Sequence, residues 1–422
     1  MSYENSPTTQ NSSNERRRAT TASHNQVLTA TQKDRIERAK RAERASYSVN
    51  RLFVHRLMGV PGTLIGEPSL PPAKGFTKRV TDWNYWWQAQ LLDAFVDSGE
   101  RAFHNGQKTE AKRVIDQCHR LLRGIRIHNF GTYVNSYYDD MAWLVLAAHR
   151  LNTLSREVLG AGSEPAQEVG RILYPQLRQA VTEDLGGGAF WSKTEDFKNL
   201  PASGPIAIAL ARAGDHKAAA QLIGWFRENL WSSDKGYLDG IKRVLQRDGS
   251  YERVVEEAAF PYNQGLAIGA HLEVSGGDVR HVEDIVRIVL DRFTATHEAE
   301  NTQFRILDTR GTGDGGLFAG ILARYLADAA EDARIDPKVR HAVREVIIAT
   351  AELLWAGRRE YDPDLPLNEP GVDVNEIRGD SVVLFSPDAS RHSSETLGAG
   401  AKVELSSQIQ AWTILEAAYR LA

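Results

Sequence analysis

A single cysteine, Cys118, stands in 422 residues, so no disulfide can form within the chain. Apolar neighbours at helical spacing (Val114, Ile115, Leu121, Leu122) predict a buried core thiol rather than a nucleophile. Long apolar runs are missing as well. No stretch reaches the length of a membrane-spanning helix, and the first 30 residues hold no apolar segment of the export type. Arg16-Arg17-Arg18 is followed by the polar ATTASHNQ, which cannot serve as the hydrophobic part of a twin-arginine signal, so a cytoplasmic location is expected. Charge of one sign is not in excess: 51 Lys and Arg face 55 Asp and Glu, a net charge of −4. That excludes a global basic field, argues against a nucleic-acid partner and is compatible with a neutral one. The 12 histidines lack close pairing, Asp362-Pro363-Asp364 is a turn first, and no carboxylate-rich calcium loop occurs. Neither a metal nor a cofactor is therefore expected. Nothing in the sequence sets an oligomeric state.

What remains is mostly helix. Residues 1–28 are polar and charged and are expected to be a disordered tail. Residues 29–78 predict a basic helix (Ile36, Ala39, Ala42, Ala45, Val49, Phe53) and a loop carrying Pro61, Pro68, Pro71 and Pro72. From residue 79 to 422 the spacing predicts helix after helix. Trp83, Trp86, Trp87, Leu91, Ala94 and Phe95 form one stripe, and Ala111, Val114, Ile115, Cys118, Leu122 and Ile125 the next. Later helices are expected at about 264–274, 279–296, 317–331, 337–355 and 405–421. Credible strands are confined to Phe304–Leu307 and Ser381–Phe385. About a dozen helices with loops fit an all-α toroid of six helical hairpins, an (α/α)6 barrel with loops gathered into a cleft at one end. Trp83, Trp86, Trp87, Trp191, Trp231 and Tyr262 would be available there for stacking, although the stripes of Trp83 and Trp225 favour core positions.

The chemistry centres on Val134-Asn135-Ser136-Tyr137-Tyr138-Asp139-Asp140-Met141-Ala142-Trp143. Apolar positions at Leu144, Ala147, Ala148 and Leu151 make this a helix start, which Asn135 or Ser136 can cap. Acidic residues are common in a first helical turn because the dipole favours them. Here, however, Tyr137, Tyr138 and Trp143 add aromatic faces of the kind that stack on sugars. Two neighbouring carboxylates also do not ionise together easily, which separates the pair into an acid and a base. Their closeness fits a retaining glycosidase better than an inverting one.

Several segments in order resemble glycoside hydrolase family 76, the α-1,6-mannanases, along nearly all of residues 80–422. They are Trp86-Trp87-Gln88-Ala89, Asn135 to Trp143, Gly187-Gly188-Ala189-Phe190-Trp191 with Lys198-Asn199, Gly236-Tyr237-Leu238-Asp239-Gly240, Tyr262-Asn263-Gln264-Gly265, Gly316 to Ile321 with Arg324-Tyr325-Leu326, and Ser407-Gln408. The resemblance implies the (α/α)6 barrel, an α-mannoside substrate, Asp139 as nucleophile and Asp140 as general acid/base. It also implies sugar contacts from Trp86, Trp87, Asn135, Tyr137, Tyr138, Trp191, Lys198, Asn199, Asp239, Tyr262, Asn263 and Gln264. Ala319 stands where the family often has lysine.

Gly311-Thr312-Gly313-Asp314-Gly315-Gly316 satisfies a dinucleotide-binding pattern, but no second strand follows its helix. A non-catalytic carbohydrate-binding protein could share the fold. A sugar epimerase on the same barrel would depend on histidines such as His271 or His297.

Overall fold

Twelve helices of 13 residues or more make up the body among the residues the structure, a computed structural model, describes (29–73, 75, 81, 83–274, 279–299, 302–361, 381–398 and 401–422). They are α1 (Ala30–Phe53), α2 (Tyr85–His104), α3 (Lys108–His128), α4 (Tyr138–Leu159), α5 (Glu164–Ala180), α6 (Leu200–Arg212), α7 (His216–Leu230), α8 (Pro261–Glu273), α9 (Val279–Arg292), α10 (Phe318–Glu331), α11 (Pro337–Ala356) and α12 (Leu405–Arg420). The even-numbered helices form an inner ring, each packed on the next, with α12 returning to α2.

Six helices can crowd round one axis only if their backbones approach closely. Helix α6 is buried from Leu200 to Ala211 and is built largely of Ala, Gly, Ser and Pro with a few branched residues. A Cβ at Gly269 of α8 would fall 2.4 Å from the Tyr325 ring of α10, and one at Gly320 of α10 would fall 2.9 Å from the Gln410 Cα of α12. Local chemistry starts the helices. Ser163, Asn199, Asp215 and Asp336 accept from backbone N–H groups of α5, α6, α7 and α11, with Pro165, Pro201 and Pro337 in first turns. Each such cap stabilises its helix by about 1 kcal/mol. Cys118 is buried in α3, as its stripe predicts.

The boundary at residue 79 does not hold. Helix α1 lies along α12, burying Ala42, Ala45, Val49 and Phe53. It takes the outer position beside α12 that α3, α5, α7, α9 and α11 take beside their own inner helices. Helices α1 and α12 thus form the sixth hairpin. The expected tail at 1–28 and the Asp362–Asp364 turn lie outside the described residues.

Strand structure exceeds the expectation. Phe197–Asn199 (β1), Gly240–Leu245 (β2) and Tyr251–Glu256 (β3) form an antiparallel sheet in the order β1-β2-β3. Asp248-Gly249, with Gly249 at φ 84°, makes the turn of the β2–β3 hairpin. Thr294–Ala299 (β4) and Thr302–Leu307 (β5) form a second hairpin, so the helix expected to reach residue 296 ends at Arg292. The expected extended segment at 381–385 contains the short strand Val382–Leu384. The Gly311–Gly316 stretch leads into a tight turn, Gly313–Leu317, ahead of α10 and has no parallel sheet around it.

Inner helices all point their N-termini to one end. At the opposite end a polar cavity of about 650 Å³ is lined by balanced charges. There Arg150 bridges Asp93, Asp97 and Glu100 at 2.6, 2.6 and 2.7 Å, and Arg324 reaches Asp97 at 2.6 Å, tying α2, α4 and α10 together. Burial opposes ionisation of Asp97, yet the two guanidinium groups hold its pKa below the ordinary carboxylate value.

Candidate active site

Backbone pairing across two loops builds the site. Tyr138 N donates to Trp191 O at 2.8 Å and Lys193 N to Ser136 O at 2.9 Å, so segment 189–193 runs beside the start of α4. This brings the Trp191 indole over the first turn, where its Nε1 donates to Asp139 Oδ2 at 2.9 Å. Asp139 Oδ1 accepts from the backbone N–H of Asp140 at 2.9 Å. Neither Asn135 nor Ser136 caps the helix, because the cap position falls on Tyr137. Asn135 instead accepts from Tyr137 N with its carbonyl at 2.9 Å and donates from Nδ2 to Asp140 Oδ2 at 2.7 Å.

Both carboxyls are half-buried at the wall of a cleft of about 730 Å³. Burial pushes the Asp139 pKa up to about 7, against the lowering effect of the two N–H donors. Asp140 is pushed well above the ordinary range, first by burial and then by the charge of Asp139. The pair therefore splits as acid and base chemistry needs. Asp139 carries the donors that favour the anion, and Asp140 holds the proton. Asp239 also lines the cleft; burial raises it to about 6 while Asn263 Nδ2 donates to its Oδ1 at 3.1 Å.

The remaining walls are aromatic and amide. Trp83, Tyr85, Trp86, Tyr137, Trp143, Trp191, Phe197, Tyr262 and Phe318 line the cleft, with Asn84, Asn129, Asn135 and Asn199 between them. Tyr262 stacks on Phe318 with ring centres 4.2 Å apart. Trp83, expected in the core, instead faces the cleft and stacks on His128 at 4.3 Å. Trp225 is in the core, its indole donating to Leu185 O at 3.1 Å. Among the described residues the lining contains no lysine, arginine or histidine; its charged groups are Asp139, Asp140, Asp239 and Asp314. A hollow of about 560 Å³ continues the cleft past Trp191, Phe197 and Asp239 along the β2–β3 hairpin.

Asp314 is absent from the sequence-derived set. Its Oδ1 accepts from both Trp86 Nε1 (3.0 Å) and Trp87 Nε1 (2.8 Å), so one carboxylate orients two neighbouring indoles. The signal was present as an acid in a glycine-rich turn, but that turn resembled a nucleotide motif.

Other expected sugar contacts are placed elsewhere. Lys198 is fully buried, and its Nζ donates to Thr182 O, Thr182 Oγ1, Asp184 O and Gly187 O at 2.7–2.9 Å. Burial lowers its pKa to about 8. Lys198 staples a loop and does not reach the cleft. Gln264 is likewise buried, accepting from Tyr237 N at 2.8 Å and donating to Tyr237 O and Phe260 O. Trp87 and Tyr138 are buried and do not line the cleft, and Asn263 reaches it only through Asp239. Trp231 packs on Tyr237 and His281 outside the cleft. His271 is buried against Tyr237 Oη at 3.3 Å, and His297 lies on β4 beside Phe304, so neither serves an epimerase centre in this cleft. Among the described residues, no cluster of three or more His, Cys, Asp or Glu is placed to hold a metal ion, and no helix is long and apolar enough to cross a membrane.

Comparison with curated proteins finds no match. Solved structures do match. An α-1,6-mannanase, GH76A, from Salegentibacter sp. HEL1_6 is 24% identical over 91% of this chain and 100% of that one, with a TM-score of 0.69. An inactive variant of the same mannanase, with two adjacent aspartates replaced, was solved with α-1,6-mannotetrose (23% identity, 91% and 99% coverage, TM-score 0.69). The family 76 mannosidase Bt3792 from Bacteroides thetaiotaomicron VPI-5482 matches at 15% identity, covering 91% of this chain and 98% of that chain, with a TM-score of 0.67. These likenesses carry the (α/α)6 fold. The model of glycosyl hydrolase family 76 matches residues 68–364, well over half of the chain, and the chain belongs to that family.

Proposed function

We propose that this protein hydrolyses α-1,6-mannosidic linkages with retention, Asp139 acting as nucleophile and Asp140 as general acid/base. The observation that carries this reading is the unequal environment of the two carboxyls: Trp191 and a backbone N–H favour the Asp139 anion, while burial and that anion keep the proton on Asp140. In the first step an Asp139 oxygen bonds to the anomeric carbon as Asp140 protonates the leaving oxygen. In the second, Asp140 takes a proton from the water that breaks the glycosyl ester. Asn135, bound to Asp140 Oδ2, holds the carboxyl in place through both steps. Asp239, Asp314 and the cleft asparagines offer hydrogen bonds to hydroxyls, and the aromatic walls offer stacking. Around the carboxyl pair the described lining carries no cation, which suits a neutral glycan.

The substrate class rests on the family and on the mannotetrose bound by the Salegentibacter variant whose adjacent aspartates were replaced. The continuation of the cleft along β2 and β3 supports internal cleavage of a longer chain. The test is digestion of α-1,6-mannan by wild type, Asp139→Ala and Asp140→Ala, with the anomer of the first product read by NMR. Wild type should release the α-anomer first and both variants should be inactive. Release of the β-anomer refutes retention, and equal, low turnover by all three leaves only a binding protein.

A further inference from the structure

We propose that the cleft end of the barrel docks on an anionic lipid surface through the loops around Met58 and Phe130. The four most exposed large apolar side chains among the described residues are Phe130 (91%), Met58 (65%), Tyr251 (63%) and Leu245 (62%). All four stand at the same end. Helices α1 and α3 both run towards the cleft, and Met58 and Phe130 lie in the turns that follow them. Tyr251 and Leu245 lie near the tip of the β2–β3 hairpin, whose base lines the continuation of the cleft. Phe130 directly follows Asn129, a cleft-lining residue.

Two of these positions are held outward against backbone preference. Met58 (φ 46°) and Phe130 (φ 57°) are in the left-handed region, which disfavours any residue with a side chain. Bulky apolar groups kept exposed in that conformation point to a use outside the fold. Helix α3 ties both loops: Arg123 Nη1 donates to Gly62 O at 2.9 Å in the Met58 loop and Arg126 Nε to Gly131 O at 2.9 Å in the Phe130 turn. Ile127, also exposed, lies one turn beyond Arg123 on the same face of α3.

Charge selects the occupant. Residues 51–66 and 119–138 contain Arg51, Arg56, Arg120, Arg123 and Arg126 and not one Asp or Glu. Asp116 meets Arg120 and Glu168 meets Arg126, and Arg51 and Arg120 line a side hollow with Glu43 and Glu110, so the positive charge nearest the tips is that of Arg56, Arg123 and Arg126. Apolar tips flanked by Arg56, Arg123 and Arg126 suit the interface of a bilayer bearing anionic headgroups, where the tips enter the acyl boundary and the guanidinium groups meet phosphate. A protein so docked would hold its cleft against glycans carried on the lipid.

The test is co-sedimentation of the full chain with phosphatidylglycerol vesicles and with phosphatidylcholine vesicles, at low salt and at high salt. Wild type should pellet with phosphatidylglycerol at low salt only. Met58→Ser with Phe130→Ser should weaken that binding roughly tenfold or more, as expected for two lost apolar anchors, and Arg56→Gln should weaken it in a salt-dependent way. Turnover of a short soluble mannoside should be unchanged in both variants. Absence of wild-type binding to phosphatidylglycerol, or equal binding by the double variant, overturns the proposal. So does a wild-type dimer that the double variant converts to monomer, which would make the face an interface between copies. Loss of soluble-substrate turnover with vesicle binding intact would make Phe130 a sugar platform and overturn it as well.

Discussion

Replacing Trp191 with Phe isolates one hydrogen bond in the catalytic reading. The phenyl ring keeps the contacts with Tyr137 and Phe197, whose ring centres lie 5.0 and 6.3 Å from the indole, but loses the Nε1–H that reaches Asp139 Oδ2 at 2.9 Å. A hydrogen bond to a charged acceptor contributes about 1.5–3 kcal/mol, and one pKa unit corresponds to about 1.4 kcal/mol. The variant's Asp139 should therefore titrate about one to two units above its starting value of about 7. The nucleophile works ionised, so the acidic limb of kcat/KM moves to higher pH by that amount. At neutral pH the ionised fraction falls from about half to between about a tenth and a hundredth, and kcat/KM falls by about 5- to 50-fold. The assay is the pH profile of α-1,6-mannooligosaccharide hydrolysis by both proteins. Activity should recover as pH rises until deprotonation of Asp140 cuts it off. A loss of equal size at every pH, with the acidic limb unmoved, would refute the reasoning and leave Trp191 as a stacking surface alone.

Asp139→Asn should abolish turnover and stabilise the fold. The folded pKa is raised from 3.8 to about 7, so the wild-type contribution is fully present below 3.8 and is lost as pH rises to about 7. The variant should gain at most about 4 kcal/mol above that window, seen as a higher Tm at pH 8 that converges with wild type near pH 4. Lys198→Met strands the carbonyls of Thr182, Asp184 and Gly187 and should lower stability by about 2–4 kcal/mol. Its KM should stay near wild type, whereas a selective rise in KM with unchanged Tm would restore Lys198 as a sugar contact. Deleting residues 1–53 removes α1 and bares the apolar side of α12. Circular dichroism and gel filtration should show loss of the native fold, and a stable monomer would contradict the assignment of α1 to the barrel.

The helical periodicity carried most of the architecture because inner and outer helices bury stripes that repeat with the turn. The Asp139-Asp140 pair was legible for the same local reason, as it opens a helix amid aromatics. Non-local partnerships were not legible. Nothing near Ala42, Ala45, Val49 and Phe53 says that their stripe covers Leu405–Arg420, and a proline-rich loop made α1 look separate. Lys198 and Gln264 looked like sugar contacts because they are polar and sit in family segments, whereas backbone groups of distant loops claim them. Asp314 was hidden by glycines, its partners Trp86 and Trp87 lying far earlier in the chain. The β2–β3 hairpin has a local signal in Asp248-Gly249 between β-branched runs, but its strands are short and lie between strongly periodic helices.

Because α1 pairs with α12 and not with a neighbour in sequence, the ring cannot shut until Leu405–Arg420 has been made. Until then the side of α1 that meets α12 is bare, and the edges of α2 and α11 stay uncovered where α12 will insert. Such a nascent intermediate exposes greasy surface in proportion to the time the chain takes to finish, which makes the newborn protein a client for chaperones. Once sealed, opening the ring at this seam must break the α1–α12 hairpin, so local unfolding there disturbs segments far apart in sequence together.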